Sequence, residues 1–270
     1  MAARRSPTKA FLWRLRRRPG HALALGLALA GVGWLFWPRA RPARTLNGTT
    51  VVIDPGHGGS DPGAVCAGVV EATLTYRTSA TLARLLEERG ARVVFTVRSA
   101  SLTESGSLVR PRDAAPELAP GRTLQAGTAN PEDVYIRADL AAREWERRTG
   151  PVLFLAIHYD ASTSSGVRGS HALFDNRGEP PSRLPRNVAR RNALAGLSGT
   201  FPATPVRQKL GVLWAARNPV PERTLVECAT LSDPEGRADA QNPLWREAFC
   251  RLLVAAVEET AKEQNYPRPQ

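Results

Sequence analysis

Two histidines and two glutamates stand at the ends of patterned runs in this sequence. His57 lies in VVIDPGHGGSDPGAV, directly after a run of strand formers and inside a cluster of glycine, proline and aspartate. Glu71 opens EATLTYRTSATLARLLEERG, His158 lies near the end of PVLFLAIHYDA, and Glu227 follows TLV in RTLVECA. Two imidazoles and a carboxylate are a common catalytic zinc set, with the fourth position kept for water. A further carboxylate beside such a set can serve as a general base. Each residue also has an ordinary explanation. A histidine beside glycines is commonly a turn residue, and a glutamate opening a helix complements the helix dipole. A glutamate buried after TLV is harder to dismiss, because an unpaired buried carboxylate is costly. His171, in the alternating run GSHALFD, is read as a surface or rim side chain, and His21 belongs to the N-terminal apolar run.

The elements that must position these residues follow from periodicity. TTVVI at 49–53 reads as a buried strand. Leu74, Thr78, Leu82, Leu85 and Leu86 recur at helical spacing up to Gly90, which predicts a helix over 71–89 with a glycine C-cap. The strand ARVVFTV follows. A second helix is signalled at 131–148, with Asn130 as cap and Pro131 in the first turn. PVLFLAIHYDA is a further buried strand, GSHALFD alternates like a strand, LPRNVARRNALAGL suggests a helix, and LGVLWA and RTLVECA suggest two more strands. A last helix over about 243–263 is introduced by Asn242 and Pro243. Strands alternating with helices predict an α/β domain, and ligand sites in open α/β sheets gather at the carboxyl ends of strands, where these four polar residues fall. Residues 99–134 carry little periodicity and read as a surface insertion, and residues 176–186 as a shorter one.

Charge separates the N-terminus from the rest. Residues 1–44 hold 10 of the 37 Lys and Arg and none of the 25 acids, leaving 27 basic against 25 acidic side chains beyond them. A nearly neutral remainder argues against nucleic acid as a partner. The basic stretch from Arg4 to Arg18, the apolar run ALALGLALAGVGWLFW at 22–37 and then PRARPAR have the layout of a membrane-targeting segment. Seven basic residues precede the apolar run and three follow it, so the N-terminus stays cytoplasmic and the chain after Pro38 is exported. The run suits either an uncleaved signal anchor in the inner membrane or a signal peptide, with Trp34 and Trp37 placed to anchor it at the interface. Three cysteines, Cys66, Cys228 and Cys250, cannot all pair within one chain, and Cys228 and Cys250 read as small buried side chains.

VVIDPGHGG-x-DPGAV, VVEATLTYRTSATLARLLEERG, LAIHYDAS and LVECATLSDPE, in that order, resemble the four motifs of the zinc-dependent N-acetylmuramoyl-L-alanine amidases of the type 3 family, over residues 50–262. The resemblance implies a three-layer α/β/α domain with a mixed central sheet and zinc at one end of its strands. It implies His57, Glu71 and His158 as zinc ligands and Glu227 as the catalytic carboxylate. It also implies peptidoglycan as the substrate, cut at the amide between the muramic acid lactyl group and L-alanine of the stem peptide. The chain is then read as a signal segment over 1–37, a linker over 38–47 and a catalytic domain over 48–265 carrying the insertion 99–134. Asp54 and Asp160 flank the two histidines and are expected to orient the imidazoles. Arg137, in YIRADLAARE, matches an arginine of the family with a structural role. The rival readings are a catalytically silent or autoinhibited wall-binding protein of the same fold, and a zinc peptidase cutting inside the stem peptide. Neither the inhibitory helix nor the wall-binding module of some relatives is recognised here, which leaves control to location or to a protein activator.

Overall fold

Strand β1 (Thr50–Pro55) is buried at every position but the first and lies between β4 (Arg92–Phe95) and β5 (Val152–Asp160), parallel to both. The computed structural model describes residues 43–58, 61–97, 131–175, 177 and 180–263, all within one unit, 43–270. Strand β8 (Glu222–Thr230) runs parallel beside β5, β6 (His171–Asp175) is antiparallel to β8, and β7 (Val206–Gln208) closes the edge parallel to β6. The resulting mixed sheet has the order β4-β1-β5-β8-β6-β7. A separate hairpin of β2 (Val65–Cys66) and β3 (Val69–Val70) leads into helix α1 (Glu71–Glu88).

Alternation along the strands sorts side chains onto two cores. Val51, Ile53, Leu153, Leu155, Ile157, Val226 and Cys228 pack on one face with α1, α3 (Arg183–Leu194) and α5 (Pro243–Lys262). Val52, Val94, Phe154, Ala156, Leu173 and Leu225 pack on the other with Ala141 of α2 (Pro131–Glu146). A central parallel strand covered on both sides must be apolar throughout, which is why VLFLAI in β5 shows no polar alternation. The mixed α/β architecture expected from the sequence is thus present.

The ends of α1 and α5 follow local chemistry. Gly90 (φ 91°) donates to Glu87 O, and Ala91 donates to Leu86 O, a Schellman closure of α1. Asn242 accepts from the Leu244 N–H at 2.9 Å and Pro243 occupies the first turn of α5, as anticipated. An additional short helix, α4 (Pro234–Gln241), is capped by Asp233, which accepts from the Gly236 N–H at 2.8 Å.

Three expectations need correction. LGVLWA is no strand: residues 210–215 form turns, and Val212 and Leu213 enter the second core from them. Asn218 Nδ2 donates to Val212 O and Arg223 Nε to Leu213 O, so side chains satisfy the buried turn's carbonyls in place of a sheet ladder. Residues 131–134, counted within the insertion, belong to α2, while 98–130 and the proposed Asn130 cap lie outside the described residues. His171 is the third correction, since it is 6% exposed and no surface side chain. The apolar run 22–37 also lies outside the described residues, among which no helix is long and apolar enough to cross a membrane. Cys66, Cys228 and Cys250 are free thiols, with Cys228 and Cys250 buried.

Candidate active site

The carboxyl ends of β1, β5 and β8 meet the first residue of α1. His57 comes two residues after β1, in a left-handed conformation (φ 62°) that a non-glycine residue seldom adopts. Arg137 of α2 holds that turn in place. Its guanidinium donates to Asp54 Oδ1 at 2.9 Å, to Pro55 O at 2.6 Å and to His57 O at 2.8 Å. Asp54 also accepts from the Thr96 hydroxyl. The planar fork of an arginine suits this task, because three acceptors are fixed at once. On the other side of the loop, Thr75 Oγ1 donates to Gly56 O at 2.7 Å.

His57, Glu71 and His158 converge. His57 Nε2 is 3.1 Å and His158 Nδ1 3.2 Å from Glu71 Oε1, and one ligand atom from each of the three lies within 4.8 Å of the others. A tetrahedral zinc with ligands at about 2.0–2.1 Å requires ligand atoms about 3.3 Å apart, so the donor types and the two separations from Glu71 fit the ion. Glu71, 4% exposed, is fixed from behind: Oε1 accepts from the Tyr159 N–H at 3.0 Å and Oε2 from the Ala64 N–H at 2.9 Å. Burial opposes its ionisation, but hydrogen bonds and charge from His158 and His57 outweigh burial and hold its pKa well below the usual carboxylate range. For His57 burial pulls the pKa down, yet bonds and charge from Glu71 and Asp61 prevail and raise it to about 9 in the metal-free protein.

Two glycines make the convergence possible. A Cβ on Gly56 would stand 2.3 Å from His158 Cε1, and one on Gly63 (φ 63°) would stand 2.6 Å from both Glu71 Oε2 and His57 Cδ2. The backbone therefore passes against the ligand side chains where no other residue fits.

The carboxylate that orients His57 is Asp61, whose Oδ2 is 2.9 Å from Nδ1. Asp61 Oδ1 also accepts from the Gly63 N–H at 3.0 Å, tying the loop to itself. Neither expected orienting residue does this work. Asp54 is engaged by Arg137 and Thr96, and Asp160 makes no hydrogen bond to His158. The signal for Asp61 was its position four residues after His57 in a glycine-rich turn.

Glu227 of β8 is the register partner of His158 on β5 and of His171 on β6. Directly opposed residues on neighbouring strands project to one face, so His158, Glu227 and His171 form a row across three adjacent strands. Glu227 Oε2 is enclosed and has no hydrogen-bond partner among the described residues. Burial first, and then the charges of Glu71 and Asp160, push the Glu227 pKa well above the carboxylate range. The strand beneath it is braced: Ser170 Oγ donates to Glu227 O at 2.8 Å and itself accepts from Asn192 Nδ2 of α3 at 2.9 Å.

A family model described as N-acetylmuramoyl-L-alanine amidase matches residues 51–259. The chain belongs to the N-acetylmuramoyl-L-alanine amidase family. It is a hydrolytic amidase of peptidoglycan. The germination-specific N-acetylmuramoyl-L-alanine amidase of Bacillus subtilis is 25% identical to this amidase over 225 residues, covering 82% of this chain and 84% of that protein. A probable cell wall amidase, LytH, of Staphylococcus epidermidis is 44% identical over 218 residues, or 79% of this chain and 59% of that protein. The crystal structure of an N-acetylmuramoyl-L-alanine amidase from Clostridium difficile shares the fold, with a TM-score of 0.59 at 19% identity over 81% of this chain and 100% of that one.

Proposed function

We propose that this amidase hydrolyses the bond between the lactyl carbonyl of N-acetylmuramic acid and the L-alanine nitrogen, with His57, Glu71 and His158 holding a zinc ion and Glu227 carrying the proton. The observation that carries the reading is the convergence of two imidazoles and a buried carboxylate beside a second carboxylate that has an enclosed, unpartnered oxygen. Zinc in such a set supplies Lewis acidity, polarising a carbonyl and making water acidic enough to attack near neutral pH. The chain's own residues supply the rest. Asp61 fixes the His57 ring so that Nε2 faces inward, and the Tyr159 and Ala64 amides fix Glu71. Glu227 takes the proton from the attacking water and returns it to the leaving nitrogen as the C–N bond breaks, which yields a carboxylic acid on the glycan and a peptide with a free amine.

The same proposal extends to the whole chain. Residues 1–37 direct export and tether the enzyme to the inner membrane, 38–47 link, and 48–265 form the catalytic domain, so that the enzyme works on the outer face of that membrane. Its control is assigned to location or to a protein activator. A structural neighbour, the CwlD amidase from Clostridioides difficile, was solved in complex with the GerS lipoprotein.

Mass spectrometry of soluble products tests the reading when the full chain is incubated with purified peptidoglycan, with and without a chelator. Intact stem peptides with N-terminal alanine, absent after chelation, are expected. Peptides shortened at internal bonds would make the protein a peptidase, and bound zinc without any release would make it a wall-binding or autoinhibited protein.

A further inference from the structure

Glu227 carries the proton in the function proposed above, yet its Oε2 has no hydrogen-bond partner among the described residues to fix where the carboxyl points. Its aim is then set by the backbone that bears it. That backbone lies where regular pairing stops on both sides of β8. Toward β6 the ladder ends with the His171–Glu227 pair. Toward β5 the register shifts directly after His158–Glu227, since the next pair is Asp160–Thr230, a step of two residues on β5 against three on β8. An extra residue of this kind bends a strand and redirects its side chains, so the chain from Glu227 onward needs another hold. Side chains supply it. Ser170 Oγ donates to Glu227 O at 2.8 Å, and Thr230 Oγ1 donates to Gly169 O at 3.2 Å.

Ser170 is itself held. It is 2% exposed, its N–H donates to Leu197 O at 2.8 Å, and its Oγ accepts from Nδ2 of Asn192, a fully buried residue of α3, at 2.9 Å. A hydroxyl has one proton, so an amide donating to its oxygen leaves that proton for Glu227 O. The arrangement costs stability, because Asn192 Oδ1 is enclosed with no hydrogen-bond partner among the described residues. An apolar side chain would avoid that cost, and α3 already packs on the core through Leu184, Val188 and Ala189. A buried asparagine that weakens its own surroundings is explained by what it orients. We propose that Ser170 and Asn192 are positioning residues of this amidase, a relay from α3 that fixes the Glu227 peptide and so holds its carboxyl on the face it shares with His158. A displacement of about 1 Å at a reacting group can cost a hundredfold in rate, so a hold on the backbone beneath it suffices to matter. This assignment rests on the role of Glu227 proposed above.

The test measures kcat and KM on a soluble N-acetylmuramoyl pentapeptide with the zinc-loaded full chain, together with Tm and zinc content of each variant. Ser170→Ala removes the donor to Glu227 O, Asn192→Leu removes the donor to Ser170 and fills its place with an apolar side chain, and Ser170→Thr keeps a hydroxyl. Each of the first two should lower kcat about ten- to a hundredfold with KM and zinc content unchanged, and Ser170→Thr should keep most of the turnover. Asn192→Leu should melt at or above the unaltered temperature, because an unpaired buried oxygen is gone, so stability and turnover part company. The double variant Ser170→Ala/Asn192→Leu should be no slower than Ser170→Ala alone, since both cut one relay. Where Asn192→Leu does not fold, Ser170→Ala against Ser170→Thr decides. Unchanged kcat, or losses that multiply in the double variant, would overturn the relay. Losses of Tm or zinc in step with kcat in every variant would make the pair ordinary packing and overturn it equally. If the unaltered enzyme released no peptide, or Glu227→Gln kept its turnover, the reading of Glu227 beneath the relay would fail instead.

Discussion

On the β1–β5 side of the site His57 and Glu71 are held from behind, whereas on the β8–β6 side two buried polar atoms have no partner among the described residues. Glu71 divides its oxygens between two histidines and the backbone amides of Tyr159 and Ala64, and His57 leans on Asp61. Glu227 Oε2 and His171 Nδ1 have only enclosure, with Ser170 and Phe201 bracing the groups around them. The first arrangement suits a bound ion, which needs ligands fixed before it arrives. The second suits a proton carrier, whose carboxyl is left without a competing partner beside the ligands. Separate supports for the two halves imply that each can be broken alone.

The largest effect should come from the unsupported half. Glu227→Gln preserves shape but cannot take the water's proton, so kcat for peptide release should fall about 10²–10⁴-fold with the metal retained. Residual activity near the unaltered level would remove Glu227 from the chemistry. Next comes Arg137→Ala, which leaves Asp54 buried with only Thr96 and releases the His57 turn. Breaking a buried ion pair from one side costs about 3–5 kcal/mol, so thermal melting should show Tm lower by roughly 10 °C, and Arg137→Lys should recover only part of it. Asp61→Asn touches only the support of one ligand. Metal competition titrations should show affinity weaker by about 10–100-fold while the fold melts near its usual temperature. An affinity unchanged in Asp61→Asn would show that the 2.9 Å contact does not orient His57.

The smallest effect is a slope in pH. In the metal-free protein His57 keeps its proton up to about pH 9, because Glu71 and Asp61 outweigh burial. Zinc has to displace that proton, so apparent affinity should rise by about tenfold per pH unit as pH approaches 9. The same raised value stabilises the metal-free fold fully below the ordinary histidine pKa of 6.5 and loses that contribution as pH climbs through about 9. Calorimetric zinc titrations at several pH values between about 6 and 9 check the slope, and a flat profile would place no proton on His57.

Much of this was legible in the sequence where a residue's meaning is local. His57 after VVID, His158 at the end of VLFLAIH and Glu227 after TLV announce themselves as polar groups at strand ends, and Glu71 heads a helix marked by its apolar period. What was missed depends on contacts far apart in the chain. His171 looks like the first residue of a half-exposed strand until β6 is set antiparallel to β8 with Glu227 opposite it. LGVLWA has the composition of a strand, but its carbonyls are met by Asn218 and Arg223 side chains, which leaves it as a buried turn. Asp54 and Asp160 were expected to orient the imidazoles because they flank the two histidines in sequence. The left-handed conformation of His57 lets the chain fold back so that Asp61, four positions on in the same glycine-rich turn, meets the imidazole.

The central claim is a division of labour, with His57, Glu71 and His158 for the metal and Glu227 for the proton. Zinc content and stem-peptide release measured on one preparation of the full-length Glu227→Gln protein test it most directly. The account predicts one zinc per chain and release reduced by at least about a hundredfold. Zinc lost together with activity would make Glu227 a ligand, and release kept with zinc in place would assign the proton to another residue.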